Sequence, residues 1–273
     1  MTTPRLSDPT ALTRNRARAR PEALFLHDRA MDDIQARLAM VNRTFTTPLI
    51  IGPFASYWAA GLGLPNPRAI ADTDTLAITP GAHDLAIHAL GLHWSSDPVG
   101  QLIQARRALR PDGLLLACLF GGQTLHELRA TLAEAESQIT GGLSPRVAPM
   151  AEIRDLGGLM QRAGLALPVA DCDRLSVTYD SAFHLMRDLR AMGEANALQH
   201  RLRRPTRRAV LTRAAEIYAE AHANADGRIG ATFEIIHLSG WAPDDSQPQP
   251  LRPGSATHRL ASALGATETP LKD

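Results

Sequence analysis

The hydrophobic positions of the chain form short apolar runs separated by stretches with helical periodicity. Three runs have strand length and the nearly continuous apolar character of strands covered on both faces. They span residues 48–52, 84–92 and 113–120. Helical spacing of apolar residues marks five further stretches, at residues 21–45, 56–62, 98–109, 124–139 and 150–163. This alternation predicts an α/β fold built on a mostly parallel, doubly wound sheet.

Local signals mark the ends of several of these elements. Residues 110–113 (Arg-Pro-Asp-Gly) have the composition of a turn before the third apolar run. Thr124 stands three residues before Glu127, which is the spacing of a helix capping box. Gly164 follows the last of the five helical stretches and predicts a left-handed C-terminal cap.

The remaining segments predict how the chain is organised around this sheet. Residues 169–178 are followed by a helical block, and residues 231–241 predict a closing strand at the edge of the sheet. We therefore expect three parts. They are a basic arm and helix at 1–47, a sheet domain at 48–241 with a helical insertion at about 181–224, and an extended tail at 242–273.

Composition and charge exclude several classes of function. A chain of 273 residues, 44% of them apolar, suits one α/β domain with an accessory part. The formal net charge of +1 gives no general attraction to nucleic acid or to an acidic membrane. No apolar run approaches the roughly 20 residues of a transmembrane helix, and no signal-peptide core is present. Five arginines within residues 5–20 fit either a transit peptide or a basic helical arm, and we expect a cytoplasmic protein.

The residue types that bind metals or nucleic acids are not suitably arranged. The two cysteines are too few for a disulfide framework. His83, His88 and His93 form a row, but no carboxylate accompanies them at ligand spacing, so the sequence predicts no metal site and favours buried, hydrogen-bonded histidines. The arginines of residues 201–213 suit a solvated face or an anionic partner. No aromatic residues interleave them, which argues against nucleic acid.

Longer segments resemble a known family. The second apolar run ends in His93-Trp94 and is followed by a helix, the Arg-Pro-Asp-Gly turn and a further strand, as in class I (seven-strand) methyltransferases. More specifically, the chain resembles the arginine-modifying assembly factors of respiratory complex I, and it is also similar to the malonyl-acyl-carrier-protein methyltransferases of biotin synthesis. The matching segments, in order, are FLHDRA, GLHWSSDPVGQL, RALRPDGLLLACLFGGQTLHELR, GGLSPRVAP, RDLGGLMQRAGLALPVAD, DLRAMGEANAL and ATFEIIHLSGW.

This resemblance covers about residues 12–256 and implies a Rossmann-like class I methyltransferase fold. It also implies S-adenosylmethionine as cofactor and, as protein client, a subunit of NADH:quinone oxidoreductase (complex I). In the mitochondrial branch of the family the modification is arginine hydroxylation rather than methylation.

The cofactor-binding half departs from the family pattern. Such enzymes hold S-adenosylmethionine on a D-x-G-x-G-x-G loop, because glycines let the backbone approach the ligand. The matching residues 50–56 are Ile-Ile-Gly-Pro-Phe-Ala-Ser, in which only Gly52 remains. Phe54 replaces the second glycine and brings a bulky ring to the ligand's place. We therefore predict a degenerate site in which binding of S-adenosylmethionine is doubtful.

Spacing along the chain supports a truncated N-terminal half. Asp84 lies 32 positions after Gly52, which leaves room for about one β-α-β unit. We predict that the strand-two unit is deleted or collapsed. Asp72 precedes Asp84 at a spacing like that of the family's strand-three acid, which contacts the adenine amine. The alternative is that Asp72 only solvates a turn.

Candidate site residues follow from position at the carboxyl edge of the sheet, where α/β folds bind ligands. His93 and Trp94, just after a strand, are candidates for catalysis or for a pocket wall, or else for packing. Gly121, Gly122 and Thr124 suit a substrate loop, or only a strand-to-helix turn.

Two polar loops supply the remaining candidates, because loops carry function more often than core segments do. We predict that Arg146, Glu194 and Asn196 face a substrate or partner. Three hypotheses remain open: a methyltransferase-like platform that acts on or chaperones a protein client, an active S-adenosylmethionine-dependent enzyme that modifies a protein arginine or an acyl carrier, and a scaffold that forms an oligomer with an intact paralogue.

Overall fold

The computed structural model describes residues 5–248 and Gly265. The chain divides into two units, residues 1–243 and residues 244–273, and the fold given below is that of the first. Of the predicted extended tail, residues 249–264 and 266–273 lie outside the described residues.

Six strands of the described chain form one sheet. They are β1 (Pro48–Ile51), β2 (Arg68–Ile70), β3 (His83–Ala89), β4 (Leu109–Phe120), β5 (Ala166–Tyr179) and β6 (Ile229–Trp241). Their order is β2-β1-β3-β4-β6-β5. The first four are mutually parallel, and β6 runs antiparallel to both of its neighbours. The predicted, mostly parallel Rossmann-like sheet is confirmed.

Helices cover both faces of this sheet. They are α1 (Pro9–Arg16), α2 (Phe25–Met40), α3 (Ala55–Leu62), α4 (Pro98–Ala108), α5 (His126–Thr140), α6 (Ile153–Arg162), α7 (Ala182–Ala191) and α8 (Arg208–His222). Buried side chains of α2, α3, α5, α7 and α8 share one core, which includes Trp58 and Phe233. Those of α4 and α6 share the other, which includes Leu102 and Met160. The short helix α1 belongs to neither core and packs near Trp94.

The prediction that the last strand, at residues 231–241, lies at the edge of the sheet is wrong. β6 lies between β4 and β5, so β5 and not β6 forms this edge of the sheet. The burial of the two strands agrees with their positions, because β6 is buried along most of its length whereas β5 is at most half-buried up to its last residue. An apolar run of strand length shows that a strand is covered, and it does not show which strands are its neighbours.

The shortening of the N-terminal half falls at a different place from the one predicted. The unit β1–α3–β2 is present, and β2, although only three residues long, pairs in parallel with β1. Residues 71–82 then lead to β3 without a helix or strand. The missing length therefore lies after the second strand.

Two local predictions at the ends of β4 are also corrected. Residues 110–113 belong to β4 as an irregularity, where the pairing with β3 shifts register. The capping box is absent, because α5 begins after Leu125 with no side-chain cap. Thr124 instead donates its hydroxyl to the Gly121 carbonyl at 2.8 Å, and Glu127 accepts the backbone N–H of Thr232. These contacts to β6 and to the preceding turn replace the local cap. Gly164 follows α6 with a φ of +75°, as predicted.

Candidate functional site

A cavity of about 300 Å³ opens beyond the carboxyl ends of β3 and β4. Its walls come from the segments that follow these strands and from α5, α7 and α8. Most of the lining is apolar and includes the rings of Trp94, Phe120 and Phe233 and the flexible side chains of Met186 and Met192. An apolar cavity with a few placed polar groups is the usual form of a site that takes up a small molecule or a side chain.

Five residues that the sequence singled out line this cavity. They are Trp94, Thr124, Arg146, Glu194 and Asn196. The candidate His93 is not among the lining residues; its ring is buried beside that of Phe120, with the ring centroids 4.9 Å apart. Arg190 and Thr206 also line the cavity. Sequence reasoning did not single them out, because Arg190 falls on a predicted helix rather than on a polar loop, and no motif marks Thr206.

Gly121 and Gly122 serve the packing of the β4–α5 connection against β6. A Cβ on Gly121 would lie 2.1 Å from the Ile236 side chain. A Cβ on Gly122, whose φ is +49°, would lie 2.0 Å from the Glu234 carboxylate. That carboxylate accepts the backbone N–H of Gln123 at 2.8 Å. Both glycines are thus explained by the turn itself.

Glu194 presents a buried negative charge to the cavity. Its Oε2 accepts hydrogen bonds from Trp94 Nε1 at 2.7 Å and from His93 Nε2 at 3.2 Å. Burial opposes ionisation, but the charge of His93 and the hydrogen bonds from His93 and Trp94 outweigh it and lower the pKa of Glu194 to about 2. Among the described residues, none donates a hydrogen bond to Oε1. The side chain is therefore an ionised acceptor in an apolar surrounding.

Arg146 fixes the segment that covers one side of the cavity. Its guanidinium forms a two-point ion pair with Glu136, at 2.6 and 3.1 Å, and donates to Thr206 Oγ1 at 2.6 Å. Burial opposes ionisation of Glu136, yet the hydrogen bonds from Arg146 and Ser144 lower its pKa. Asn196 Nδ2 donates to the Pro145 carbonyl at 2.8 Å and ties the same segment to the loop after α7.

A second crevice lies at the carboxyl ends of β1 and β3, the point where the strand order reverses and α/β folds bind ligands. Gly52 lies here, but a Cβ on it would meet the Ala89 carbonyl oxygen at 2.6 Å, so the close approach is between two strands. The ring of Phe54 packs edge-on against His27 at 5.1 Å, and Trp58 Nε1 donates to His27 Nδ1 at 3.0 Å.

Asp72 neither solvates a turn nor faces an open site. Its two oxygens accept hydrogen bonds from the two Nη atoms of Arg16 at 2.9 and 3.0 Å. The two side chains are only 9% and 14% exposed, respectively. Arg16 ends α1, and a Cβ on Gly91 would lie 2.4 Å from the Asp72 carboxylate. Helix α1 and its arginine thus occupy the part of this crevice beside Asp72, whereas residues 52–57 and 69–71 line an open groove of about 410 Å³ at the carboxyl ends of β1 and β2.

The histidine row has structural partners. His83 Nδ1 is 2.9 Å from the Thr47 carbonyl, and His88 Nε2 is 3.4 Å from Gln101 Oε1. Burial lowers the pKa of His88 to about 4, so its ring is neutral at physiological pH. Within the part of the chain that the structure describes, no group of histidine, cysteine or acidic residues is arranged to hold a metal ion.

None of the helices in the described part of the chain is both long enough and apolar enough to cross a bilayer.

The fold recurs in a solved structure of low sequence identity. The YcgJ protein from Bacillus subtilis superposes on 79% of this chain and 99% of its own, with a TM-score of 0.52 and 14% identity. The strand order, the layers of helices and the position of the cavity agree with the expected architecture. The protein has the Rossmann-like fold of the class I methyltransferases.

Sequence relatives are more specific. The proteins named arginine-hydroxylase NDUFAF5, mitochondrial, from Mus musculus and Homo sapiens are 40% and 38% identical over 194 residues, which is 71% of this chain and 56% of theirs. The malonyl-[acyl-carrier protein] O-methyltransferase of Xylella fastidiosa is 37% identical over 180 residues, 65% of this chain and 59% of its own. The chain is a homologue of these proteins, and the resemblance inferred from its sequence is confirmed.

Two further findings concern the extent of this similarity. The chain spans just over half the length of the arginine-hydroxylase relatives that it matches. No protein-family profile matches it.

Proposed function

We propose that the protein is a methyltransferase-like platform that binds a protein client, such as a subunit of respiratory complex I, through the cavity beside Glu194. We further propose that it does so without S-adenosylmethionine. The homologues named arginine-hydroxylase and those named malonyl-[acyl-carrier protein] O-methyltransferase support a client that is a protein.

The observation that carries this proposal is the contrast between the two sites. The cavity beyond β3 and β4 holds about 300 Å³ and presents an ionised carboxylate. Beside β1, in contrast, the candidate acid Asp72 is paired with Arg16, and the open groove of about 410 Å³ there is lined by residues 52–57 and 69–71, none of which is charged. Arg16 uses both carboxylate oxygens of Asp72, and Phe54 packs where a glycine-rich loop would approach a ligand. These residues do not fit a sulfonium nucleoside such as S-adenosylmethionine.

Calorimetric titration tests the loss of the cofactor. We expect no measurable heat when the purified protein is titrated with S-adenosylmethionine. We expect the same with S-adenosylhomocysteine, which lacks the sulfonium charge and so separates steric exclusion from repulsion by Arg16. Binding of either compound at micromolar strength (about −8 kcal/mol) contradicts the proposal.

An enzyme that modifies an arginine side chain is the second candidate, and Glu194 favours it. A guanidinium that entered the cavity would meet Oε1, an ionised acceptor in a water-poor setting where charge-assisted hydrogen bonds are strong. Trp94 lines the same cavity, and an indole ring is the aromatic group that attracts a cation most strongly. His93 and Trp94 would then position Glu194.

Arginine-containing peptides separate the two candidates. We expect an arginine peptide to bind the protein and a citrulline peptide, which is neutral, to bind on the order of tenfold more weakly. Glu194→Gln should remove this difference. Mass spectrometry of the peptide after incubation with cell extract and the protein then decides on chemistry, because only the enzyme candidate adds an oxygen or a methyl group. Equal binding of both peptides contradicts a role for Glu194.

The predictions of a cytoplasmic location and of an oligomer with an intact paralogue stay predictions. Recovery of a full-length methyltransferase with the tagged protein from its own cells would support the second of them.

A further inference from the structure

We infer that an arginine-rich groove beside the cavity binds an acidic, extended segment of the protein client. This inference rests on the proposed client-binding function and adds the chemistry of the partner. The groove has an apolar part beside the cavity and a basic part beyond it. The apolar part is lined by residues that include Leu6, Arg129, Pro145, Val147, Pro149 and Leu198. The basic part is lined by residues that include Arg5, Asp8, Arg14, Arg201 and Arg203.

Shared residues make the groove continuous with the cavity. Val147 lines both the cavity and the apolar part, and Arg5 lines both parts of the groove. The two parts hold about 350 and 560 Å³, which is space for several side chains of an extended peptide. A segment that places one side chain in the cavity can therefore continue along the groove.

The two walls of the groove are tied to the cavity and to each other. Ser7 pairs with Leu198 in a β-bridge, and the Ser7 hydroxyl donates to the Trp94 carbonyl at 2.9 Å. Asn15 Nδ2 donates to the Ala195 carbonyl at 2.9 Å. The groove is thus held in place before a partner arrives, which lowers the entropic cost of binding.

Charge indicates the kind of partner. Five arginines line the groove against a single acid, Asp8, although the whole chain carries a net charge of only +1. Asp8 is engaged already, since it caps α1 and pairs with Arg201 at 2.9 Å. Arg203 stays 63% exposed, and Arg5 and Arg14 are exposed without an ion pair among the described residues. This excess positive potential attracts carboxylates.

The apolar part distinguishes a peptide from a nucleic acid. Its floor is formed by Leu6, Val147 and Leu198, between two exposed prolines. Apolar side chains of a peptide suit this floor, whereas single-stranded nucleic acids stack on aromatic rings. Neither part of the groove is lined by phenylalanine, tyrosine or tryptophan from the described residues.

Fluorescence anisotropy with synthetic peptides tests the inference. The probe is a short fluorescein-labelled peptide of alternating leucine and glutamate, and the comparison peptide carries glutamine in place of glutamate. We expect the acidic peptide to bind on the order of tenfold more tightly at low salt, with a difference that shrinks as salt screens the charges. A labelled oligothymidine that binds as tightly as the acidic peptide would overturn the inference in favour of nucleic acid.

Matched variants separate the groove from overall charge. Arg5→Gln, Arg14→Gln and Arg203→Gln together should remove the preference for the acidic peptide. The control removes the same charge from exposed arginines outside the groove, by Arg107→Gln, Arg154→Gln and Arg162→Gln, and should keep the preference. Equal losses in both triple variants overturn the inference. These outcomes are independent of the arginine-peptide titration, so failure of the groove and failure of the cavity proposal are distinguishable.

Discussion

Replacing Arg16 by methionine should lower the free energy of unfolding by about 3 kcal/mol, since removal of one partner from a buried ion pair leaves the other charge uncompensated. Asp72 is only 9% exposed and receives both of its close hydrogen bonds from Arg16. The loss should appear as a shift of the urea midpoint at unchanged slope, because the surface exposed on unfolding stays the same.

A double variant tests whether the loss of stability comes from the unpaired charge of Asp72. Arg16→Met combined with Asp72→Leu removes both charges, and it should recover most of the stability, because an apolar pair of similar volume replaces a buried ion pair at little cost. Arg14→Met, on the exposed side of α1, is the matched control and should change the stability by less than about 0.5 kcal/mol. A small loss of stability in the Arg16 variant itself would contradict a buried ion pair between Arg16 and Asp72.

Replacing Glu194 by glutamine should lower the free energy of unfolding at pH 7 by roughly 3 kcal/mol and should flatten its dependence on acid pH, because about 1.4 kcal/mol corresponds to each unit by which the pKa is lowered. The pKa of Glu194 falls from an ordinary value of 4.5 to about 2 in the folded protein. A depressed folded pKa contributes stability that is fully present above pH 4.5 and is lost as the pH falls through about 2. The difference in the free energy of unfolding between the wild type and the Glu194 variant should therefore decrease as the pH falls from 4.5 to about 2.

Urea unfolding at pH 7 and at pH 3 measures this effect. Glu216→Gln is the matched control, because Glu216 pairs with Arg213 at the surface and is 53% exposed, and exposed pairs contribute little. The control should have the same free energy of unfolding as the wild type at both pH values. If the Glu194 variant differs from the wild type by the same free energy at pH 3 as at pH 7, the carboxylate is not held ionised by His93 and Trp94.

Much of the sheet was predictable from local pattern. β1, β3 and β4 are apolar runs, and a helix begins at Pro98 within the predicted stretch. The features predicted wrongly were those in which a distant partner competes with a local signal. Glu127 has the spacing of a capping residue, yet its carboxylate binds Thr232, 105 positions away.

The candidate site was partly predictable for a different reason. Trp94 was singled out by its position after a buried strand, and Arg146 and Glu194 were singled out as polar residues on loops. The structure brings the three to one cavity. Arg16 was not predicted, because in the sequence it is one arginine of a basic arm. Its partner Asp72 lies 56 positions further along the chain.

Periodicity was sufficient for β1, β3 and β4, for most of the helices and for the class of fold, since these depend on neighbours within a few residues. The place of β6 inside the sheet, the arginine in the crevice and the Trp94–Glu194 contact between residues 100 positions apart depended on the folded chain. Burial and charge pairing act between segments that meet only after folding, and no local pattern encodes which segments those are.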